Sequence, residues 1–249
     1  MTSTVAEHYA SHLAPIYSWM VGDFGAACAH ASGFYDAISL PDGNGRTAID
    51  LGCGHGVHAI PLGQRGYRVI AIDTSTRLLQ DLRSNIDNLT VTTISADLMT
   101  FRDHIDSEPS LIVCMGDTLT HLPSFDAVAR LVEDAADVLS RDGLFVLSFR
   151  DYVSNELVGT RRFIRVRSDE SRIHTCFLEY RVDTVVVHDI IYNCVDSVWQ
   201  MSVGDYTKIR LEPSKLISHV ESNGFSLVHN STDRGMIYVV FKRLPEKDS

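Results

Sequence analysis

The chain is 249 residues long, 45% apolar and 22% charged, which suits one large domain with a substantial core and a sub-domain and argues against disorder. A formal net charge of −10 and a pI near 5.5 disfavour a general electrostatic grip on a polyphosphate backbone, so nucleic acid is not an expected partner. The five cysteines, Cys28, Cys53, Cys114, Cys176 and Cys194, are odd in number and form no CxxC pair, the usage of reduced cytoplasmic thiols rather than of disulfides or a zinc site.

The N-terminal stretch MTSTVAEHYASHLAP has no basic region followed by an apolar core. No apolar run approaches the ~18 residues that cross a bilayer, so a soluble, unexported protein with no membrane partner is expected. Residues 1–45 read as a helical cap that ends in the turn-rich LPDGNG. From residue 46 to 150 short continuous apolar segments alternate with helically spaced ones, as buried parallel strands do with their crossover helices. Strands are expected at 47–51, 68–73, 91–96, 111–115 and 144–149, and helices near 57–65, 76–85 and 125–139. The runs FIRVR, HTCFLEYRV, TVVVHDIIY and SVWQMSV follow, β-branched and aromatic with no helix between them, and predict an antiparallel insertion at about 154–210. Pro213 then opens a helix that Gly224 stops, and strands near 225–229 and 237–242 close the chain. The fold class is α/β, a doubly wound Rossmann-like sheet over 46–153 and 211–249, with the cap and the insertion as additions.

The first strand runs into AIDLGCGHG, where an acid, Asp50, stands beside glycines at 52, 54 and 56. Alternate glycines let a backbone turn sharply and approach a ligand with no Cβ between; the bland reading is a strand-to-helix turn. A dinucleotide loop reads GxGxxG and presents a helix N-terminus to a pyrophosphate, whereas this loop is one residue shorter and follows a carboxylate that would repel phosphate. A ligand carrying an ammonium and a sulfonium would instead be attracted, and S-adenosylmethionine (SAM) is such a ligand. Asp73 ends the second strand in VIAID, where it can accept from both ribose hydroxyls. Asp97 ends the third in ISADL and is placed to meet the adenine amino group. Each strand-terminal Asp alone reads as a helix N-cap; three in succession behind this loop favour the ligand.

Together, DxGxGxG, the acid ending strand two and the AD ending strand three resemble the class I SAM-dependent methyltransferases. VCMGDTLTHLP and LFVLSFRDY resemble the matching segments of glycine N-methyltransferase and its small-molecule relatives. The resemblance implies a seven-stranded sheet, SAM as methyl donor, and a cofactor set of Tyr17, Asp50, Gly52, Cys53, Gly54, Asp73, Thr74, Asp97, Leu98 and Met115. It also implies Gly116, Asp117, His121 and Arg150 near methionine and acceptor, with Arg150 holding a substrate carboxylate. This chain has Asp117 where the family has asparagine, which disfavours a glycine-like acceptor. Tyr9 and Tyr17 resemble lid tyrosines that lie over the cofactor, and as simple packing residues they would look the same.

His8 and His12 share a helix face, a spacing that two metal ligands can use, but no third ligand stands nearby and no metal is expected. His55 and His58 read as helix-start residues, one of them pointing outward. Alternation puts Arg161, Arg165 and Arg167 on one side of a strand, either a solvated face paired with Asp169 and Glu170 or a site for an anion. The expected activity is methyl transfer to N or O of a small, carboxylate-bearing metabolite, with His121 or Asp117 assisting where a proton must leave. A SAM-binding module without turnover would leave Arg150 and the insertion idle, and an NAD-dependent oxidoreductase is disfavoured by loop length and Asp50. A homo-oligomer is compatible with the sequence.

Overall fold

A computed structural model describes residues 4–245. The cap starts with α1 (Val5–His8), passes through a π-turn at Tyr9–Leu13 and a 3-10 turn at Ala14–Ile16, and continues as α2 (Tyr17–Val21) and α3 (Phe24–Ala37). Asp23 caps α3, its carboxylate accepting from the Ala26 amide at 2.9 Å.

The central sheet follows as β1 (Thr47–Leu51), α4 (Ala59–Gln64), β2 (Arg68–Asp73), α5 (Thr76–Arg83), β3 (Val91–Ser95), β4 (Leu111–Cys114), α6 (Phe125–Val138) and β5 (Leu144–Arg150). A second sheet comprises β6 (Phe163–Ser168), β7 (Arg172–Tyr180), β8 (Thr184–Val195) and β9 (Val198–Ile209). The chain then returns through α7 (Pro213–Ser222), β10 (Phe225–Asp233) and β11 (Met236–Arg243) to the first sheet. Its seven strands run in the order β10-β11-β5-β4-β1-β2-β3, with β11 antiparallel to both neighbours and the rest parallel. Strand order reverses between β1 and β4, so the crevice beyond their carboxyl ends is where a ligand of such a sheet collects.

Both faces of the sheet are covered, which is why β1 and β4 are fully buried and β4 is apolar along its whole length. On one face Phe101, Phe145, Phe149, Phe225 and Phe241 pack with the buried stripe of α6, whose start Ser124 caps through the Ala127 amide at 3.2 Å. On the other, Tyr35 of α3 packs with Leu62, Leu79 and Leu82 of α4 and α5. The second sheet, in the order β6-β7-β8-β9, turns His174, Cys176 and Leu178, Val185, Val187 and Asp189, and Gly204, Tyr206 and Lys208 to one common face. That face packs on the cap through Leu13, Leu178, Val187 and Tyr206.

The doubly wound sheet, the helical cap and the antiparallel insertion are as the sequence implies, while β10 and β11 are longer than expected. Helix α4 begins only at Ala59, because the glycine loop holds the chain in turns up to that point. The shared face expected for the three arginines is overturned. Arg161 lies in a 3-10 turn (Gly159–Arg162), and a register shift sets Arg165 opposite Thr175 and Arg167 opposite His174, consecutive residues that point to opposite sides. Arg167 lies over the Trp19 ring instead, 5.5 Å from its centroid. Among the described residues no helix is long and apolar enough to cross a membrane.

Phe241 is fully buried at the middle of the larger core. Phe241→Ala is therefore expected to cost about 3–5 kcal/mol in urea unfolding, as large-to-small aromatic substitutions do in tight cores; a loss below ~1 kcal/mol would show that this face is loosely packed.

Candidate active site

At the end of β1 the backbone takes positive φ at Gly52 (71°), Gly54 (53°) and Gly56 (100°), a path that residues with a Cβ rarely adopt. The turn is held at both ends. Gly52 and Cys53 donate their amides to the Ile72 carbonyl at 2.8 and 3.0 Å. Asp73 accepts from the Gly54 amide at 2.8 Å through one oxygen and from Ser75, also at 2.8 Å, through the other. Burial still raises its pKa against the pull of these amides. Beneath the loop Asp50 is buried, with Oδ2 unpartnered among the described residues, and burial together with the neighbouring Asp73 pushes its pKa up to about 8.

Tyr17 stands over this loop: a Cβ on Gly54 would lie 3.8 Å from its hydroxyl. Its ring meets His55 edge-on at 5.2 Å. His55 does not point outward; it is buried between Tyr17 and Phe24, with Nε2 unpartnered among the described residues. His58 also turns in, its Nδ1 hydrogen-bonded to the Tyr35 hydroxyl at 2.9 Å, and burial lowers its pKa to about 4. Both histidines precede α4, which is why helical spacing misjudges them. Asp50, Gly52, Cys53, Gly54, Asp73 and Tyr17 thus come together, and the buried Met115 directly follows the neighbouring strand β4. Thr74 is exposed after β2, and Leu98 packs its side chain on the core. Asp97 is exposed and caps the 3-10 turn Leu98–His104 through the Met99 amide at 2.9 Å, the more ordinary of its two expected roles.

Beyond β4 the backbone turns again through positive φ at Gly116 (70°) and Asp117 (73°), anchored by Ser148 of β5, whose hydroxyl accepts from the Gly116 amide at 2.8 Å. Asp117 is buried and accepts from the Arg150 amide at 2.8 Å, the Tyr152 hydroxyl at 2.9 Å and the Lys208 ammonium at 2.5 Å. Burial alone would raise its pKa, but Lys208 and the Arg150 amide outweigh it and hold the carboxylate ionised. Asp117 is therefore occupied rather than poised to take a proton. His121 is the reverse case. Burial and the nearby Lys208 charge press its pKa down to about 3, so its imidazole is neutral, and Nε2 has no partner among the described residues. Its ring lies 5.5 Å from both Tyr9 and Tyr206, an aromatic wall facing the end of β4.

Arg150 contributes its amide to this centre, while its guanidinium stands exposed at the rim, donating to the Arg234 carbonyl at 3.4 Å and lowering the pKa values of Tyr152 and Cys176 only as a minor influence. Lys208, Tyr206 and Tyr152 went unnoticed in the sequence. Their signal is faint but present: in GDYTK alternation puts Gly204, Tyr206 and Lys208 on one face, where a lysine among apolar neighbours demands a buried acid.

The family described as "Methyltransferase domain" matches residues 48–143, the span from β1 through α6 that carries the glycine loop, Asp73 and Asp117. The chain carries a class I SAM-dependent methyltransferase domain. A distant relative is the glycine/sarcosine N-methyltransferase of Aphanothece halophytica, 25% identical over 128 residues, which are 51% of this chain and 48% of the relative. The chain thus spans about half the length of the curated relatives it matches. Its fold is that of the CcbJ methyltransferase from Streptomyces caelestis, with a TM-score of 0.78, 19% identity, and 95% and 98% of the two chains covered. It also matches SAM-bound CalS10, an amino pentose methyltransferase from Micromonospora echinaspora, with a TM-score of 0.71, 14% identity, and 87% and 91% covered.

The depressed histidines fix a pH dependence. The folded protein keeps His58 and His121 neutral down to about pH 4 and 3, whereas the unfolded chain takes up protons near pH 6.5. Stability is thus full above pH 6.5 and falls as pH drops towards 4, by at most ~1.4 kcal/mol per unit for each histidine. His121→Gln is expected to flatten that slope in urea titrations at pH 4.5, 5.5 and 6.5; parallel slopes for both proteins would contradict the assignment.

Proposed function

We propose that this protein transfers a methyl group from SAM to the nitrogen of a small amine, in a pocket walled by Tyr9, His121 and Tyr206. The observation that carries the reading is the pairing of a positive-φ glycine cradle with two acids beneath it, one of them buried with an unpartnered oxygen. This donor set fits SAM. A close backbone accepts a flat nucleoside, Asp73 retains lone pairs for ribose hydroxyls beyond its two amide bonds, and the Asp50 carboxyl, which burial keeps mostly protonated at neutral pH, would ionise against a cationic ligand. When bound, SAM supplies a methyl group on a sulfonium that leaves as a neutral thioether.

The protein's part is alignment and exclusion of water. The glycine loop with Asp73 holds the nucleoside end, and Tyr17 covers it. A neutral His121 accepts a hydrogen bond from an acceptor N–H and so aims the nitrogen lone pair away from itself, towards the end of β4. An ionised Asp117 keeps Lys208 neutralised, so the pocket does not repel the positive charge that grows on the nitrogen in the transition state. Amine over hydroxyl is favoured because, among the described residues, no free strong base stands in the pocket, and an uncharged amine needs none before attack. The relative from Aphanothece halophytica is named for N-methylation, and CalS10 for an amino pentose. A carboxylate on the acceptor, if there is one, would meet Arg150 at the rim.

Asp73→Ala removes both acceptors from a half-buried pocket and is expected to weaken SAM binding by ~1.5–3 kcal/mol in calorimetry. Unchanged affinity would remove Asp73 from the ribose site. A screen of small amines for conversion of SAM to S-adenosylhomocysteine tests the activity itself. Among acceptors found, Arg150→Lys should raise KM about tenfold only for those with an anionic group, leaving SAM affinity unchanged. Equal effects on anionic and neutral acceptors would take Arg150 out of substrate recognition.

A further inference from the structure

Behind the aromatic wall lies a buried polar cluster that the methyl-transfer chemistry does not use. Asp189 of β8 bonds His8 Nε2 at 2.8 Å through one oxygen and His174 Nε2 at 2.7 Å through the other. All three side chains are buried. Burial would raise the Asp189 pKa, but the two imidazole bonds prevail and keep it ionised. An ionised carboxylate only accepts, so both rings carry their proton on Nε2. His12 adds a longer contact, Nε2 to the Asp189 carbonyl at 3.3 Å. His8 and His12 belong to the cap, His174 and Asp189 to the second sheet, so one carboxylate ties the two together.

The sheet is shaped to receive these rings. Gly204 of β9 stands directly opposite Asp189, and a Cβ there would come within 2.7 Å of the His8 ring and 3.1 Å of His12. Its φ lies outside the left-handed region, so the glycine is not required by the backbone; it is required by the two histidines seated against it. The seated His8 also packs on Tyr206, with ring centroids 4.6 Å apart. The next residue is Tyr9, 5.5 Å from His121, and two turns further on Tyr17 covers the glycine loop.

We propose that Asp189 is a positioning residue: with His8, His12, His174 and the notch at Gly204 it latches residues 5–21 onto the second sheet, and so sets where Tyr9 and Tyr17 stand and how fast ligands pass beneath them. The gating half of this inference rests on the methyltransferase reading; the latch itself does not. Since Tyr17 lies over the loop, exchange of a ligand there requires the cap to lift, and lifting breaks the bonds to Asp189.

Two variants act on the latch and leave Tyr9, Tyr17, His121 and Tyr206 themselves unsubstituted. Gly204→Ala would ordinarily be neutral or stabilising within a strand; here the added methyl displaces His8. His8→Phe keeps a ring against Tyr206 but removes the N–H. In hydrogen–deuterium exchange of the ligand-free protein, both are expected to speed exchange of residues 5–21 about tenfold, the scale of one lost charge-assisted hydrogen bond, with β1, β4 and β5 unchanged. SAM dissociation, followed by Trp19 fluorescence in stopped flow, should accelerate by a similar factor. Unchanged protection of residues 5–21 in both variants overturns the latch, as does loss of protection spreading through β1, β4 and β5, which would make Asp189 an ordinary fold element. A loosened cap with unaltered SAM dissociation overturns the gating. Wild-type protein that binds no SAM would sink the methyltransferase reading, while the ligand-free exchange rates would still decide the latch.

Discussion

The buried pair of Asp117 and Lys208 is the constraint on which the site depends. Asp117 ends the turn after β4 in the first sheet and Lys208 comes from β9 in the second, so their contact fixes the distance between the two sheets. Neither charge is tolerable alone in that setting, since an isolated buried ion costs several kcal/mol while a hydrogen-bonded pair recovers much of it. Tyr152 and the Arg150 amide complete the shell around the carboxylate, so β5 is locked to the same point. The aromatic wall of Tyr9, His121 and Tyr206 is built on this junction, with His121 four residues after Asp117 and Tyr206 two before Lys208.

What surrounds the pair divides the site electrostatically. On the side that the proposed function gives to the cofactor stand acids whose pKa values are raised by burial, Asp50 and Asp73, and a cation placed there would draw both towards their ionised form. On the acceptor side the charges are already matched and the histidine is neutral. Under the proposed N-methylation, positive charge would move from sulfur to nitrogen, from a region whose acids can answer it to one whose charges are already matched, an order that favours holding the donor without trapping the product.

Much of this was legible in the sequence, for identifiable reasons. The central sheet announced itself because β1, β2 and β4 are buried on both faces and so read as unbroken apolar runs; Asp50 and Asp73 stood out because a charge at the end of such a run is costly. The acceptor side was harder to read. Lys208 and Tyr206 lie in a strand whose two faces are both partly apolar, and Asp189 sits in TVVVHDIIY as one acid among β-branched residues. Their meaning comes from partners some 180 and 90 residues away, His8 for Asp189 and Asp117 for Lys208, a relation no local pattern carries. Local rules also failed where the chain leaves regular geometry: the delayed start of α4 misassigned His55 and His58, and the register shift in β6 separated arginines that alternation had joined. Arg150 was found, but the sheet offers its amide to the centre and its guanidinium to the rim.

The two halves of the site also differ in how they come into being. The glycine loop, Asp73 and Met115 lie within one stretch of about 65 residues joined by neighbouring parallel strands, so the donor half can condense as soon as β1, β2 and β4 have paired. The acceptor half joins residues 9, 121, 152 and 208, and closing loops of that length is paid in chain entropy before any contact rewards it. During synthesis the N-terminal segment must therefore wait, its apolar face uncovered, until β8 and β9 have left the ribosome. The cap is made well before the surface that receives it.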